Sequence, residues 1–258
     1  MAPRKTPGDT LQGIARRILP LQTRDAITAF RRRNRLQWPR AGTIGFGGFD
    51  RLTPVSAVFG YDRGKPVDRH YIEAFLAANR ADIRGRCMEL GDPAYITRFG
   101  TGVTQADVLH YVEGNPQATI VGDLADAPHI PDNAFDCIIF TQTLQMIWHP
   151  EAALRTLHRI LKPGGVALVT SAGIAKIGRR LGRDPWGEYW HFTSQSLARA
   201  TAEVWGGEQV RVTTYGNVMT ACAFLQGLAA EELLPHHLDH HDPDFEVIVA
   251  ARLQKATL

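Results

Sequence analysis

Short apolar runs alternate with amphipathic segments through most of the chain. The clearest unit starts with the apolar run 137–141, continues with a segment of helical periodicity and ends in the turn Pro163-Gly164-Gly165, after which residues 166–170 are apolar again. A strand, a helix, a turn and a second strand in this order build a parallel sheet with crossover helices. The pattern therefore predicts an α/β protein.

The same alternation predicts seven strands, at residues 86–90, 103–106, 119–121, 137–141, 166–170, 209–215 and 245–253. Helices are predicted at 66–81 and 194–204. Thr193 is the expected N-cap of the second helix, because its hydroxyl can accept from the free amides of the first turn. These elements predict a Rossmann-like, doubly wound sheet. Residues 66–258 form the main domain, and residues 1–65 a helical extension that acts as a lid or in dimerisation.

Composition narrows the class of protein. The chain has 258 residues, of which 44% are hydrophobic, and no apolar run approaches the ~18 residues of a membrane span. The first residues lack a long apolar stretch, so secretion is not expected. Three widely spaced cysteines indicate buried thiols in a reducing cytoplasm. A net charge of +3 is too small to indicate nucleic-acid binding.

Polar residues follow the predicted strands where a doubly wound sheet binds its ligand. Strand 1 ends in Glu89-Leu90-Gly91-Asp92, and a glycine there lets the backbone approach a ligand closely. Pro93 and Tyr95 stand where a dinucleotide site would need further glycines, which argues against that class. Asp107 follows predicted strand 2, where an acidic side chain can bind both ribose hydroxyls or simply cap the next turn.

The segment from Phe135 to Gly165 resembles the fourth strand, following helix and R-x-L-K-P-G-G turn of class I S-adenosylmethionine-dependent methyltransferases. Residues 59–64, 68–71, 89–92 and 215–218 resemble the type 11 methyltransferase-domain group within that class. The resemblance covers about residue 66 to the C-terminus, and Pro93 and Tyr95 depart from its glycine pattern. It implies S-adenosylmethionine as the cofactor, methyl transfer as the activity and an antiparallel last strand.

The resemblance also implies roles for particular residues. Asp123 would accept from the adenine amine while the next backbone amide, of Leu124, donates to the ring. Thr141 and Gln142 would lie beside the methionine part of the cofactor. In such enzymes the segment before strand 1 folds over the cofactor, so Arg63, Arg69 and Tyr71 could reach the cofactor carboxylate or the substrate, or else form surface ion pairs. The predicted cofactor residues are Glu89, Gly91, Asp92, Asp107, Asp123, Leu124, Thr141, Gln142, Arg63 and Tyr71.

Methyl transfer is an in-line displacement that depends mainly on orientation, so no obligatory triad is expected. The aromatic run 186–193 precedes the helix at 194–204 and provides the predicted catalytic residues. His191 could serve as a base, since its ordinary pKa is suitable, while Tyr189 and Trp190 could wall an apolar acceptor. The alternative is that this run packs as a small hydrophobic cluster and His191 is exposed or caps the helix.

Several functions remain open from the sequence. The first is a small-molecule methyltransferase, most simply acting on oxygen, with a possible homodimer and no membrane partner. Basic runs at 31–40 and 176–183 would instead suit RNA or an acidic protein acceptor, although such runs are usually solvated. A binding protein without transfer activity, or a non-methylating enzyme, could use the same fold. The histidines at 236–241 fit no closed zinc pattern, so no metal is predicted.

Overall fold

The computed structural model describes residues 19–36, 39, 41–178, 187–206 and 209–257. The chain forms two compact units, Met1–Leu52 and Thr53–Leu258. The smaller unit contains α1 (Leu21–Arg33), none of whose residues is buried, and a 3-10 turn at Gly47–Phe49. The last turn of α1 contains three arginines, and their positive charge interacts favourably with the negative, C-terminal end of the helix dipole. The predicted helical segment before Leu21 falls largely outside the described residues, as do Arg40 and most of the second basic run.

The larger unit is built on a seven-stranded sheet of order β3-β2-β1-β4-β5-β7-β6. β7 runs antiparallel to both of its neighbours, whereas the other paired strands are parallel. This confirms the predicted doubly wound sheet with a reversed last strand. The strands are β1 (Gly85–Leu90), β2 (Val103–His110), β3 (Ile120–Val121), β4 (Phe135–Thr141), β5 (Leu161–Ala172), β6 (Val210–Tyr215) and β7 (Ile248–Gln254).

Helices connect the strands. They are α2 (Val67–Ala78), α3 (Ala94–Phe99), α4 (Pro150–Ile160), α5 (Ser194–Trp205), α6 (Val218–Gln226) and α7 (Pro235–Asp239). Short 3-10 turns lie at Arg80–Asp82, Leu144–Met146 and Ala230–Glu232. The predicted N-cap is confirmed, because Thr193 Oγ1 accepts from Ser196 N at 3.2 Å while Ser196 Oγ accepts from Thr193 N at 2.9 Å. None of the described helices is both long and apolar enough to cross a bilayer.

The core lies on both faces of the sheet, as the continuous apolar strands of a parallel sheet require. Successive residues of β4 point to opposite faces. Ile138 and Phe140 pack in one buried cluster with α4 and α5, and Ile139 packs in another with α2. The sheet is thereby fixed from both sides. The carboxyl ends of β1 and β4, between which the strand order reverses, form the usual ligand position of such folds.

The boundary between the units lies before the predicted one at residue 65. Residues 53–65 belong to the larger unit, where Ser56 N donates to Gln226 O at 3.0 Å and Ala230 N donates to Lys65 O at 2.7 Å. Backbone bonds of this kind join segments far apart in sequence, so local composition gives no sign of them.

Candidate functional site

A cavity of about 1100 Å³ opens at the carboxyl ends of β1 to β4. Its floor is formed by the strand ends, at residues 89–92, 109–111, 122–125 and 141–143. Typical ligand pockets have volumes of about 300–1,000 Å³. The cavity therefore has room for a nucleoside-sized cofactor together with a second, small molecule.

The end of β1 places a buried carboxylate beside a sharp turn. Glu89 is 4% exposed, and its two oxygens accept from Tyr95 N at 3.1 Å and Ile96 N at 2.8 Å. Burial raises the pKa of Glu89 to about 7, against the effect of these two bonds. Gly91 has φ +83°, which favours glycine even though a Cβ there would meet no atom. Asp92 shapes the turn by accepting from Ala94 N at 2.9 Å.

The end of β3 carries a second carboxylate. Asp123 lies in the cavity wall, and its Oδ1 accepts from Ala125 N at 2.9 Å. This bond fixes the side chain in an Asx turn. Leu124, which follows it in the wall, is buried. The pair can thus offer an oxygen acceptor and a neighbouring backbone amide to the edge of a base.

The end of β4 is held in an uncommon conformation. Gln142 has φ +51°, a left-handed geometry that costs energy for a residue other than glycine. Its backbone N donates to Thr170 O at 2.8 Å, and its Oε1 accepts from Gln145 Nε2 at 2.9 Å. Gln145 is buried and its Oε1 accepts from Ser171 Oγ at 2.9 Å. Thr141 and Gln142 are therefore presented to the cavity by a fixed polar network.

A charged wall closes one side of the cavity. Arg69 Nε donates to Tyr61 OH at 2.8 Å, whereas Arg69 Nη1 is buried without a hydrogen-bond partner among the described residues, 3.5 Å from Asp68 Oδ2. A buried guanidinium donor without a partner is costly. Arg98 and Lys65, also in this wall, both bind Glu73. The Arg69 side chain as a whole is 28% exposed, and a guanidinium in the wall suits a carboxylate ligand.

The predicted position of Asp107, just after the second strand, is wrong. Asp107 lies inside β2, which runs on to His110, and it pairs in register with Met88. Its carboxylate is buried away from the cavity wall and accepts from Arg86 Nε at 2.7 Å and Thr119 Oγ1 at 3.0 Å. Burial acts to raise its pKa, but these bonds hold the pKa below its usual value. The residues that end β2 in the wall are Leu109, His110 and Tyr111, none of which is acidic.

Two predicted lid residues also lie outside the cavity wall. Arg63 forms a two-pronged ion pair with Glu232, with Nε 2.9 Å from Oε2. The Tyr71 ring is buried against Tyr215, and its hydroxyl donates to Leu238 O at 3.1 Å. Both side chains are thus engaged with the C-terminal part of the larger unit. Of the three residues considered for the lid, Arg69 is the one in the wall.

The two predicted catalytic residues are placed differently. Tyr189 lines the cavity, but His191 does not. His191 Nε2 lies 3.3 Å from Glu188 Oε1, and the other Glu188 oxygen accepts from Gly178 N. Trp186, at the start of the same aromatic run, lies outside the described residues. His149, which precedes α4, lies in the wall near Tyr189.

Sequence reasoning missed Trp148. Its ring stacks on Trp190 at 5.7 Å and meets Tyr189 edge to face at 5.3 Å. Trp148 follows β4 and the other two rings precede α5, so tertiary structure alone brings them together. The signal in the sequence is weak: a large aromatic residue in a short polar connection just after a strand end.

Part of the chain is similar to known methyltransferases. Residues 95–169 match a family model described as "Methyltransferase domain". The UbiE ubiquinone/menaquinone biosynthesis C-methyltransferase of Escherichia fergusonii is 49% identical over 61 residues, 24% of this chain and 21% of that protein. UbiE of Pasteurella multocida is 31% identical over 96 residues, 37% of this chain and 30% of that protein. The matches thus span less than a third of these relatives' length.

Solved structures are also similar. The [4+2]-cyclase SpnF has a TM-score of 0.48 and 19% identity, with 76% of this chain and 85% of that chain covered. An S-adenosylmethionine-dependent methyltransferase from Mesorhizobium loti has a TM-score of 0.44 and 16% identity, with 73% and 98% covered.

The family match spans β3 and β4, whose ends carry Asp123 and Gln142 into the cavity. Together with the sheet order, this match supports a class I S-adenosylmethionine-dependent methyltransferase. Within that class, its central segment is of the kind that the methyltransferase-domain model describes. S-adenosylmethionine is the cofactor of the class, and the cavity wall contains a guanidinium, of Arg69, and a carboxylate acceptor, of Asp123, which are groups that can bind a carboxylate and a base.

Proposed function

We propose that this protein transfers a methyl group from S-adenosylmethionine to a small-molecule acceptor, with a hydroxyl oxygen as the nucleophile. The observation that carries the proposal is the cavity at the ends of β1 to β4, whose lining combines the carboxylates of Asp123 and Glu89 with the guanidinium of Arg69. Acidic and basic groups in one cavity suit a nucleoside that carries an ammonium, a sulfonium and a carboxylate group. Its volume leaves space for an acceptor beside the cofactor.

The protein's contribution is orientation and exclusion of water. Asp123 and the Leu124 amide would hold the adenine, and Arg69 the carboxylate of the methionine part. Gln142, fixed by Gln145, would hold the chain between them in one position. Restricting two reactants in this way can contribute about 7–11 kcal/mol to lowering the barrier.

When bound, S-adenosylmethionine supplies a methyl carbon on a sulfonium, so a carbon–oxygen bond forms as the carbon–sulfur bond breaks and its electron pair stays on sulfur. The hydroxyl proton must then leave the acceptor oxygen. Among the described residues at this end of the wall, the imidazole of His149 is suited to receive it. Tyr189, on the same side, would orient the acceptor. Proton transfer of this kind is worth about 10²–10⁴-fold.

A carbon acceptor is the second candidate, since the curated relatives are C-methyltransferases by name. Product analysis separates the two chemistries: a methyl group labelled with carbon-13 has a different chemical shift on oxygen than on carbon. An RNA or protein acceptor would instead yield label in macromolecules. Cofactor binding without any methylated product from native extracts would favour a binding protein or a non-methylating enzyme.

The cofactor assignment is tested by calorimetry with S-adenosylmethionine and S-adenosylhomocysteine. We expect Asp123→Ala to weaken both at least tenfold, because it removes the acceptor for the base. Asp126→Ala is the matched control, since Asp126 lies in the same turn but is exposed and outside the wall. Equal affinities for the two variants would contradict the assignment of Asp123. No binding of either ligand by the unmodified protein would refute the function.

A further inference from the structure

The cavity has two chemically different ends. Charged residues line one end, and Arg69 and Arg98 are among them. The other end, beyond Gln142, is walled by Met146, Ile147 and Trp148 together with Tyr189. Trp148 is 58% exposed and Tyr189 is 49% exposed, which is unusual for such large rings. Aromatic and apolar side chains of this kind are the usual lining of small-molecule sites.

The aromatic end is a built wall rather than a loose surface. Gln145 O accepts from Tyr189 N at 2.9 Å and from Trp190 N at 3.2 Å, while Trp190 Nε1 donates to Ile147 O at 3.1 Å. These bonds join the segment after β4 to the segment before α5. Trp148 stacks on Trp190, and the rings of Trp148 and Tyr189 form a T-shaped pair. The rings are therefore pre-organised, which lowers the cost of binding.

These rings lie at the opposite end of the cavity from the residue proposed to hold the adenine. In the strand order β3-β2-β1-β4, Asp123 follows the first strand and Trp148 follows the last. Three strand spacings of about 4.8 Å separate the ends of β3 and β4 by roughly 14 Å. An adenine held at Asp123 leaves the aromatic end to the other reactant.

We propose that Trp148 and Tyr189 form the acceptor subsite and that its ligand is a flat, uncharged aromatic ring that carries a hydroxyl group. This inference rests on the proposed function. A flat ring can continue the stack that Trp190 and Trp148 begin, in the offset or edge-on arrangements that aromatic pairs prefer. Met146, Ile147, Trp148 and Tyr189 bring no charged group to this end, so a charged ring would lose water without gaining a partner. His149 follows Trp148 in the same wall, and the centroids of the two rings are 6.2 Å apart.

The subsite is tested by calorimetry with two matched probes, 2-naphthol and decalin-2-ol, in saturating S-adenosylhomocysteine. Both are uncharged ten-carbon bicyclic alcohols, but only the first is flat and aromatic. We expect 2-naphthol to bind at least tenfold more tightly, which corresponds to about 1.4 kcal/mol. Equal affinity for the two probes would overturn the proposal, since burial of apolar area alone would then explain binding.

Variants locate the ring. We expect Trp148→Ala to weaken 2-naphthol at least tenfold and Trp148→Phe to retain most of the affinity, while S-adenosylhomocysteine binds both variants as before. Phe30→Ala is the control, because Phe30 is an exposed aromatic residue that does not line the cavity. It should leave 2-naphthol affinity unchanged. An equal loss in Phe30→Ala, or none in Trp148→Ala, would overturn the assignment.

The two proposals fail in different ways. Titrations of 2-naphthol are repeated without S-adenosylhomocysteine, so the aromatic subsite is examined even if the cofactor analogue does not bind. Absence of S-adenosylhomocysteine binding with retained, Trp148-dependent naphthol binding would refute the proposed function and support the subsite. Cofactor binding without discrimination between the two probes would refute the subsite alone.

Discussion

Protonation of Glu89 is expected to control cofactor affinity near neutral pH. Its carboxyl group is 4% exposed at the end of β1, and burial raises its pKa to about 7. S-adenosylmethionine carries positive charge on its sulfonium and ammonium groups, so it favours the ionised carboxylate when it binds in the same cavity. Binding should then release a proton from Glu89.

The size of the effect follows from the ionised fraction. With a pKa of about 7, Glu89 is about 9% ionised at pH 6 and about 91% ionised at pH 8. If the cofactor binds only the ionised form, its affinity rises about tenfold across this range, or about 1.4 kcal/mol. At pH 7, about half a proton should leave for each cofactor bound.

Calorimetry in two buffers of different ionisation enthalpy measures both quantities. The control is Glu89→Gln, which removes the titrating group but can satisfy only one of the two amides, Tyr95 N and Ile96 N, that the carboxylate accepts. Its affinity should be lower at pH 8 and flat with pH. The same affinity at pH 6 and pH 8 in the unmodified protein, or the same pH dependence in the variant, would refute the reasoning.

The same group affects stability without ligand. Its folded pKa lies above the ordinary value, so between pH 4.5 and about 7 the folded state holds a proton that the unfolded state has released. The free energy of unfolding should therefore fall as pH rises through this range, by up to about 3 kcal/mol. Urea unfolding at pH 5 and pH 8 should show this loss in the unmodified protein and a smaller one in Glu89→Gln.

Three further predictions concern the scaffold. Asp107→Ala should lower the free energy of unfolding by about 1–3 kcal/mol, because Arg86 loses its acceptor. Calorimetry should show unchanged cofactor affinity. A large loss of affinity would mean that Asp107 belongs to the binding site after all. Gln145→Leu leaves Ser171 Oγ without its acceptor and should cost a similar amount in urea unfolding; an unchanged midpoint would refute the network. Gly91→Ala should destabilise by about 1–2 kcal/mol through its positive φ, with Gly48→Ala, at a glycine that has no positive φ, as the control.

The sheet could be predicted from sequence because β4 and β5 contain the apolar runs 137–140 and 166–169. The end of β2 could not, because Asp107 reads as a strand stop. Its partners are Arg86 on the neighbouring strand and Thr119, and such bonds across strands are invisible to local pattern. The unit boundary was misplaced for a related reason, since Ser56 joins Gln226 far along the chain.

The floor of the cavity followed from topology, since the carboxyl ends of parallel strands must meet at one edge. Glu89, Asp123 and Gln142 therefore come together in the wall, although their roles stay predictions. Side chains from connections could not be placed by this rule. Arg63 and His191 each find a nearby acid, Glu232 and Glu188, instead of the cavity.

Gln145 joins two halves of the site through different groups. Its amide side chain holds Gln142 at the end of β4, and its main-chain carbonyl holds the strand-like segment of Tyr189 and Trp190. We therefore expect a molecule that tightens one half to act on the other through the same residue. Linkage is reciprocal, so whatever factor an acceptor adds to cofactor affinity, the cofactor must return to the acceptor. The coupling between the two ligands would then depend on a single glutamine.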